Sequence, residues 1–151
     1  MTDLQPWLTA ILANPVTKQP CQPEVFNSVQ GVIDARVFLK NTYGYSDWAE
    51  GQRFYEEEFS GEGDTSLAEH QIGIDGARPI YQHYPMAGRI LDCGGGAGTV
   101  REFLADDVEF VSTDPWLQAP VAIQATQKAA YSCLSRPLNF IGATAEFQPF
   151  I

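Results

Sequence analysis

The chain has 151 residues, the length of one domain with room for a small appendage. Its formal net charge of −10, with nine scattered Lys and Arg, excludes a grip on nucleic-acid phosphates, which needs clustered cations. Hydrophobic residues make up 44%, enough for a packed core. No apolar run approaches the ~18 residues of a membrane span and no leader pattern opens the chain, so neither membrane nor export is expected. Cys21, Cys93 and Cys133 show no paired spacing and are expected as free thiols in a reducing cytoplasmic setting.

Residues 4–12 (LQPWLTAIL) predict a short amphipathic helix with Trp7, Leu8, Ile11 and Leu12 on one side, broken by Asn14-Pro15. Residues 26–39 read as two short strands around Gly31, with Ile33, Val37 and Leu39 in partial alternation. Residues 1–44 are therefore expected as a small N-terminal α+β appendage, and 45–151 as the main unit. Residues 47–59 are helix-like and acid-rich, and residues 60–64 form a loop. Ser66 and Glu69 make a capping box for a helix reaching toward Tyr84, with Leu67, Ile74, Ala77 and Tyr81 as its stripe. Pro79 is expected to kink or stop that helix. Strands at 89–93, 108–113 and 139–143 then alternate with helices at 99–105 and 120–134. This β-α-β-α-β order implies a parallel sheet with right-handed crossovers.

The chemistry concentrates where the first of these strands runs into Gly94-Gly95-Gly96-Ala97-Gly98. Glycines there permit positive φ and close approach of a ligand to the backbone. The dinucleotide fingerprint G-x-G-x-x-G/A fails, because its third position is Thr99 counted from Gly94 and Arg101 counted from Gly96. The pattern that fits is an acid followed by G-x-G-x-G: Asp92, then Gly94, Gly96 and Gly98. An acid at that strand end suits a cationic cofactor, such as a sulfonium bearing an α-ammonium group, better than a pyrophosphate. Asp114 ends the next strand about 20 residues downstream, the position from which a carboxylate accepts both hydroxyls of a ribose. Pro115 stops further pairing and leaves Asp114 at a loop mouth beside Trp116, which can stack on an aromatic ligand or simply pack. His70 and His83 lie away from any nucleophile or base and read as surface or packing residues.

After the third strand comes Thr144-Ala145-Glu146-Phe147-Gln148-Pro149-Phe150. Together, Asp92 to Gly98, Asp114 and Ala145-Glu146-x-x-Pro149-Phe150 resemble class I S-adenosylmethionine (SAM)-dependent methyltransferases of the small-molecule type, over about residues 88–151. The resemblance implies a Rossmann-like parallel sheet with SAM as cofactor. It places Gly94, Gly96 and Gly98 along the methionine and ribose, Asp92 at the amino-acid end, Asp114 on the ribose hydroxyls, and Thr144 and Ala145 beside the adenine. The family often carries Asp where Thr144 stands and Leu where Gln148 stands. Residues 11–18 (ILANPVTK) also resemble the opening of a zinc ribbon, but Asn14 and Thr17 occupy the cysteine positions, so no metal is expected.

The family's fold has strand order 3-2-1-4-5, and this chain is expected to supply strands 1 to 3 only. The first strand would then present a bare edge open to self-association or to a partner chain. Three functions stay open: methyl transfer to an unidentified small-molecule acceptor, a non-catalytic SAM-binding or interaction module, and, least supported, a nicotinamide-dependent oxidoreductase.

Overall fold

The computed structural model describes residues 4–29, 32–42, 45–58, 67–95, 99–115 and 139–151. Among the described residues, three α-helices, α1 (Pro6–Ile11), α2 (Tyr45–Glu58) and α3 (Leu67–Tyr81), accompany five strands. The strands are β1 (Asn27–Val29), β2 (Val32–Asp34), β3 (Arg89–Cys93), β4 (Glu109–Asp114) and β5 (Phe140–Gly142). They form one sheet in the order β1-β2-β5-β4-β3. β3, β4, β5 and β2 run parallel, and only the β1–β2 hairpin is antiparallel. The architecture is mixed α/β with a mostly parallel sheet.

The burial of each strand follows its place in that order. β5 is buried at all three positions and β4 at Phe110 to Thr113, as expected of strands covered on both faces. On one face, Phe110 packs with Leu104 and Val108 from the β3–β4 crossover, joined by Ile90, Met86 and Val100. On the other, Val111, Ile141, Ala143, Ile33 and Ala35 meet Leu8 and Leu12 at α1 and Phe26 before β1. β3 lies at the edge and is half-bare. Ile90 and Asp92 are half-buried, while Arg89, Leu91 and Cys93 point to the open side, with Leu91 42% exposed.

The N-terminal segment is part of this sheet: β2 pairs in parallel with β5 through Ile33–Ile141 and Asp34–Gly142. α1 begins with Pro6, whose fixed φ suits a first helical position, and is shorter than the expected 4–12. Gln5, just before it, accepts from Trp7 Nε1 (2.7 Å) and from Asn139 Nδ2 (2.8 Å). Asn139 also donates to the Phe110 carbonyl (3.0 Å), and its φ of 43° makes the sharp entry into β5.

Three expected elements differ. Residues 35–39 do not continue as a strand. Asp34 accepts from the Arg36 amide and turns the chain into a 3-10 helix over Ala35–Leu39. The helix expected at 99–105 is a 3-10 helix, Thr99–Phe103. Bonds from Leu104 to Arg101 and from Val108 to Ala105, both 3.3 Å, keep the tighter winding through the crossover. α3 includes Pro79 and stops two residues later at Tyr81, short of the expected Tyr84, so the missing N–H falls within its last turn. Ile74 is buried on its stripe, and Tyr81 stacks on Phe103 at 5.0 Å, tying α3 to the crossover. The expected loop at 60–64, Ser66 of the capping box and the helix at 120–134 lie outside the described residues.

Candidate functional site

The carboxyl ends of β3, β4 and β5 lie side by side, and most of the described candidate residues converge there. Asp92 is in register with Ser112, and Asp114 with Gly142. The two acids therefore cap adjacent parallel strands. Ala143 donates its amide to the Asp114 carbonyl (3.2 Å), which holds the exit of β5 against that of β4. Open α/β sheets bind ligands in the crevice outside these ends.

The start of the glycine loop is tied down by its own backbone. Gly94 (2.7 Å) and Gly95 (3.2 Å) both donate to the Thr113 carbonyl. Gly94 has φ +73°, a left-handed conformation that a side chain would strain. Gly95 is glycine for a different reason. A Cβ there would run into Ser112 Oγ and the Asp92 carboxyl, with Asp92 Cγ only 2.7 Å away. The turn is thus folded onto the Asp92–Ser112 pair.

That pair is polar and unmatched. Asp92 Oδ2 and Ser112 Oγ are buried without a hydrogen-bond partner among the described residues. Burial pushes the Asp92 carboxyl above its ordinary value, and the nearby Asp114 charge pushes it the same way. A buried acceptor beside a second carboxylate is a place that gains from a cationic donor.

The third strand adds another unmatched group. Thr144 is buried and its hydroxyl lacks a partner among the described residues, while its carbonyl accepts from Gln148 Nε2 (2.9 Å) and from the Phe147 amide (3.2 Å). Ala145 stands exposed in the turn that follows. Pro115 is half-buried directly after Asp114. Gly96, Gly98 and Trp116 lie outside the described residues. Cys93 is exposed at the strand end, and His83 is exposed in the turn after α3.

Several contributors went unseen in the sequence. By sequence Ser112 is an ordinary strand position. Its signal is a pair of polar residues, Ser112-Thr113, directly after the apolar Phe110-Val111, and both prove fully buried. The N-terminal segment reaches the site as well. Lys18 Nζ donates to the Gln148 carbonyl (2.6 Å), the Ala13 amide to the Pro149 carbonyl (2.9 Å), and Leu12 bridges to Phe150. Asn14 and Thr17, which stand at the cysteine positions of the zinc-ribbon resemblance, belong to one tight turn. Asn14 Oδ1 accepts from the Val16 (2.9 Å) and Thr17 (3.0 Å) amides, so the turn is closed by an amide oxygen.

No family model, no curated protein and no solved structure matches the chain. Among the described residues, no helix is long and apolar enough to cross a membrane.

Proposed function

We propose that the chain is the cofactor-binding part of a SAM-dependent methyltransferase with a Rossmann-like sheet, working in the cytoplasm on a small-molecule acceptor. One observation carries the reading. At the carboxyl end of β3, a buried carboxylate oxygen with no partner among the described residues sits beside a glycine at which a Cβ would be crowded, next to a second acid one strand away. Two carboxylates held close repel, and a cation between them relieves both the repulsion and the unmatched acceptor. A pyrophosphate would worsen them, which disfavours a nicotinamide dinucleotide.

In this proposal Asp92 takes the amino-acid end of SAM, and Gly94, Gly96 and Gly98 line its path. Asp114 accepts the ribose hydroxyls, and Pro115 and Trp116 form the mouth beside it. Thr144 and Ala145 flank the adenine, with the unmatched Thr144 hydroxyl as an acceptor for its amino group. When bound, SAM supplies an electrophilic methyl group, and the protein's part is to align an acceptor with it.

Calorimetric titration with SAM tests this. The intact chain is expected to bind, and Asp114→Ala to weaken binding by at least about tenfold, since two charge-assisted hydrogen bonds are lost. An intact chain that fails to bind SAM would refute the cofactor assignment.

A second reading is a non-catalytic SAM-binding or interaction module. The bare side of β3, with Leu91 42% exposed, favours it. On that reading the chain pairs through this edge with itself or with another chain. Light scattering after size exclusion would show a dimer or larger species; a monomer that binds SAM would remove self-pairing.

A further inference from the structure

We propose that Arg36 is a positioning residue of the same site. It holds the exit of β4 so that Asp114 meets the ribose, which makes the N-terminal hairpin part of the cofactor crevice. This rests on the SAM reading above.

The register places the parts. Asp34 ends β2 opposite Gly142 of β5, and Gly142 lies opposite Asp114 of β4. Asp34 and Asp114 therefore stand in one row across the sheet, with a side-chain-free residue between them. Arg36 follows Asp34 within the 3-10 turn. Asp34 takes its Nε (2.7 Å) and Nη2 (3.0 Å), and its backbone amide (3.0 Å) as well. Nη1 projects across to the Pro115 carbonyl at 2.7 Å. The Arg36 side chain is only 20% exposed.

A guanidinium gripped on one side is a rigid fork, and its remaining donors point in a fixed direction. Pro115 has no N–H, so its carbonyl is the one backbone polar group that this residue offers. Isolated ion pairs contribute little to stability once desolvation is counted, so fold stability alone is a weak reason for this arrangement. What it does accomplish is geometric. Residue 115 is fixed relative to β2, and Asp114 with it. A lysine cannot take both Asp34 oxygens and still reach Pro115 in the same way.

Two measurements on the full chain, with Arg36→Met and Arg36→Lys, decide it. The first is calorimetric affinity for SAM and for its 2′-deoxyribose analogue. The intact chain is expected to prefer the ribose form by about tenfold, the worth of one charge-assisted hydrogen bond. In Arg36→Met that preference falls toward one while affinity for the deoxy analogue changes by less than about threefold, and Arg36→Lys falls between. Equal loss for both ligands, or an unchanged preference, overturns the proposal. The second measurement needs no ligand: exchange of the Ala143 amide, which bonds to the Asp114 carbonyl, with the Glu109 amide, bonded to Gly88 at the far end of β4, as reference. Ala143 is expected to exchange about tenfold faster in Arg36→Met with Glu109 unchanged. Unaltered Ala143 exchange overturns the proposal. An intact chain that binds neither ligand sinks the SAM reading and its Arg36 role together, while Ala143 exchange still decides whether Arg36 holds the β4 exit.

Discussion

Replacing Gly95 by alanine places a methyl group against Ser112 Oγ and the Asp92 carboxyl. Gly95 keeps an ordinary backbone conformation, so the substitution carries no left-handed strain, and the whole effect is steric. Overpacking of this kind costs about 1–3 kcal/mol, and the stiffer unfolded chain returns about 0.4–1 kcal/mol. The net expectation is a loss of about 1–2 kcal/mol. Ser112→Ala deletes a buried hydroxyl that has no partner, so by itself it is expected to be neutral or slightly stabilising. Combined with Gly95→Ala, it removes one of the two obstacles. The double variant should therefore recover about 1 kcal/mol relative to additivity. Urea unfolding midpoints of the four proteins measure this directly. Additive effects, or a Gly95→Ala protein as stable as the parent, would show that the loop is not folded onto the Asp92–Ser112 pair.

Gly94→Ala should be destabilised by about 1–2 kcal/mol for the opposite reason: open space around the Cβ but φ +73°, so Ser112→Ala gives no rescue. Asp92→Asn should stabilise the unliganded protein on the order of 1 kcal/mol near neutral pH, the low end for an unmatched oxygen because the carboxyl is only half-buried, while weakening SAM binding. The pH dependence has a fixed sign. Asp92 titrates higher in the folded state, so the folded protein holds more protons between the ordinary carboxylate value and the raised one. Stability contributed at this site therefore rises as pH falls through that window, and the slope vanishes in Asp92→Asn; an unchanged slope in thermal melts across acid pH would contradict the assignment. Asn14→Ala removes the acceptor of two backbone amides and should cost about 1–2 kcal/mol, whereas Asn14→Asp keeps it and should cost far less; equal losses in denaturant titrations would exclude the side-chain cap.

The local pattern carried much of the answer. Strand-forming runs at 89–93, 108–113 and 139–143 appear in the structure within about a residue at each end, because alternating or continuous apolar residues bounded by Gly, Pro and Asn leave little else to form. Gly94, Asp92 and Asp114 were legible as candidate site residues, since a strand end, a loop and an acid at fixed spacing are all short-range features. The helix expected to reach toward Tyr84 stops at Tyr81, just past Pro79, where the proline's missing N–H falls in the last turn. Residues 35–39 misled because a side-chain cap from Asp34 outcompeted their alternation.

What the sequence determined by itself is the three parallel strands β3, β4 and β5 and the acids at the ends of β3 and β4, because those follow from neighbours along the chain. Tertiary structure decided the rest. The parallel pairing of β2 with β5 joins residues more than a hundred positions apart, and no local pattern encodes that partner. The same pairing brings Arg36 to Pro115, while the Leu12–Phe150 bridge accompanies the contact of Lys18 with Gln148. The pairing of β3 with β4 likewise gives Gly95 and Ser112 their meaning, since one crowds the other only once those two strands lie side by side.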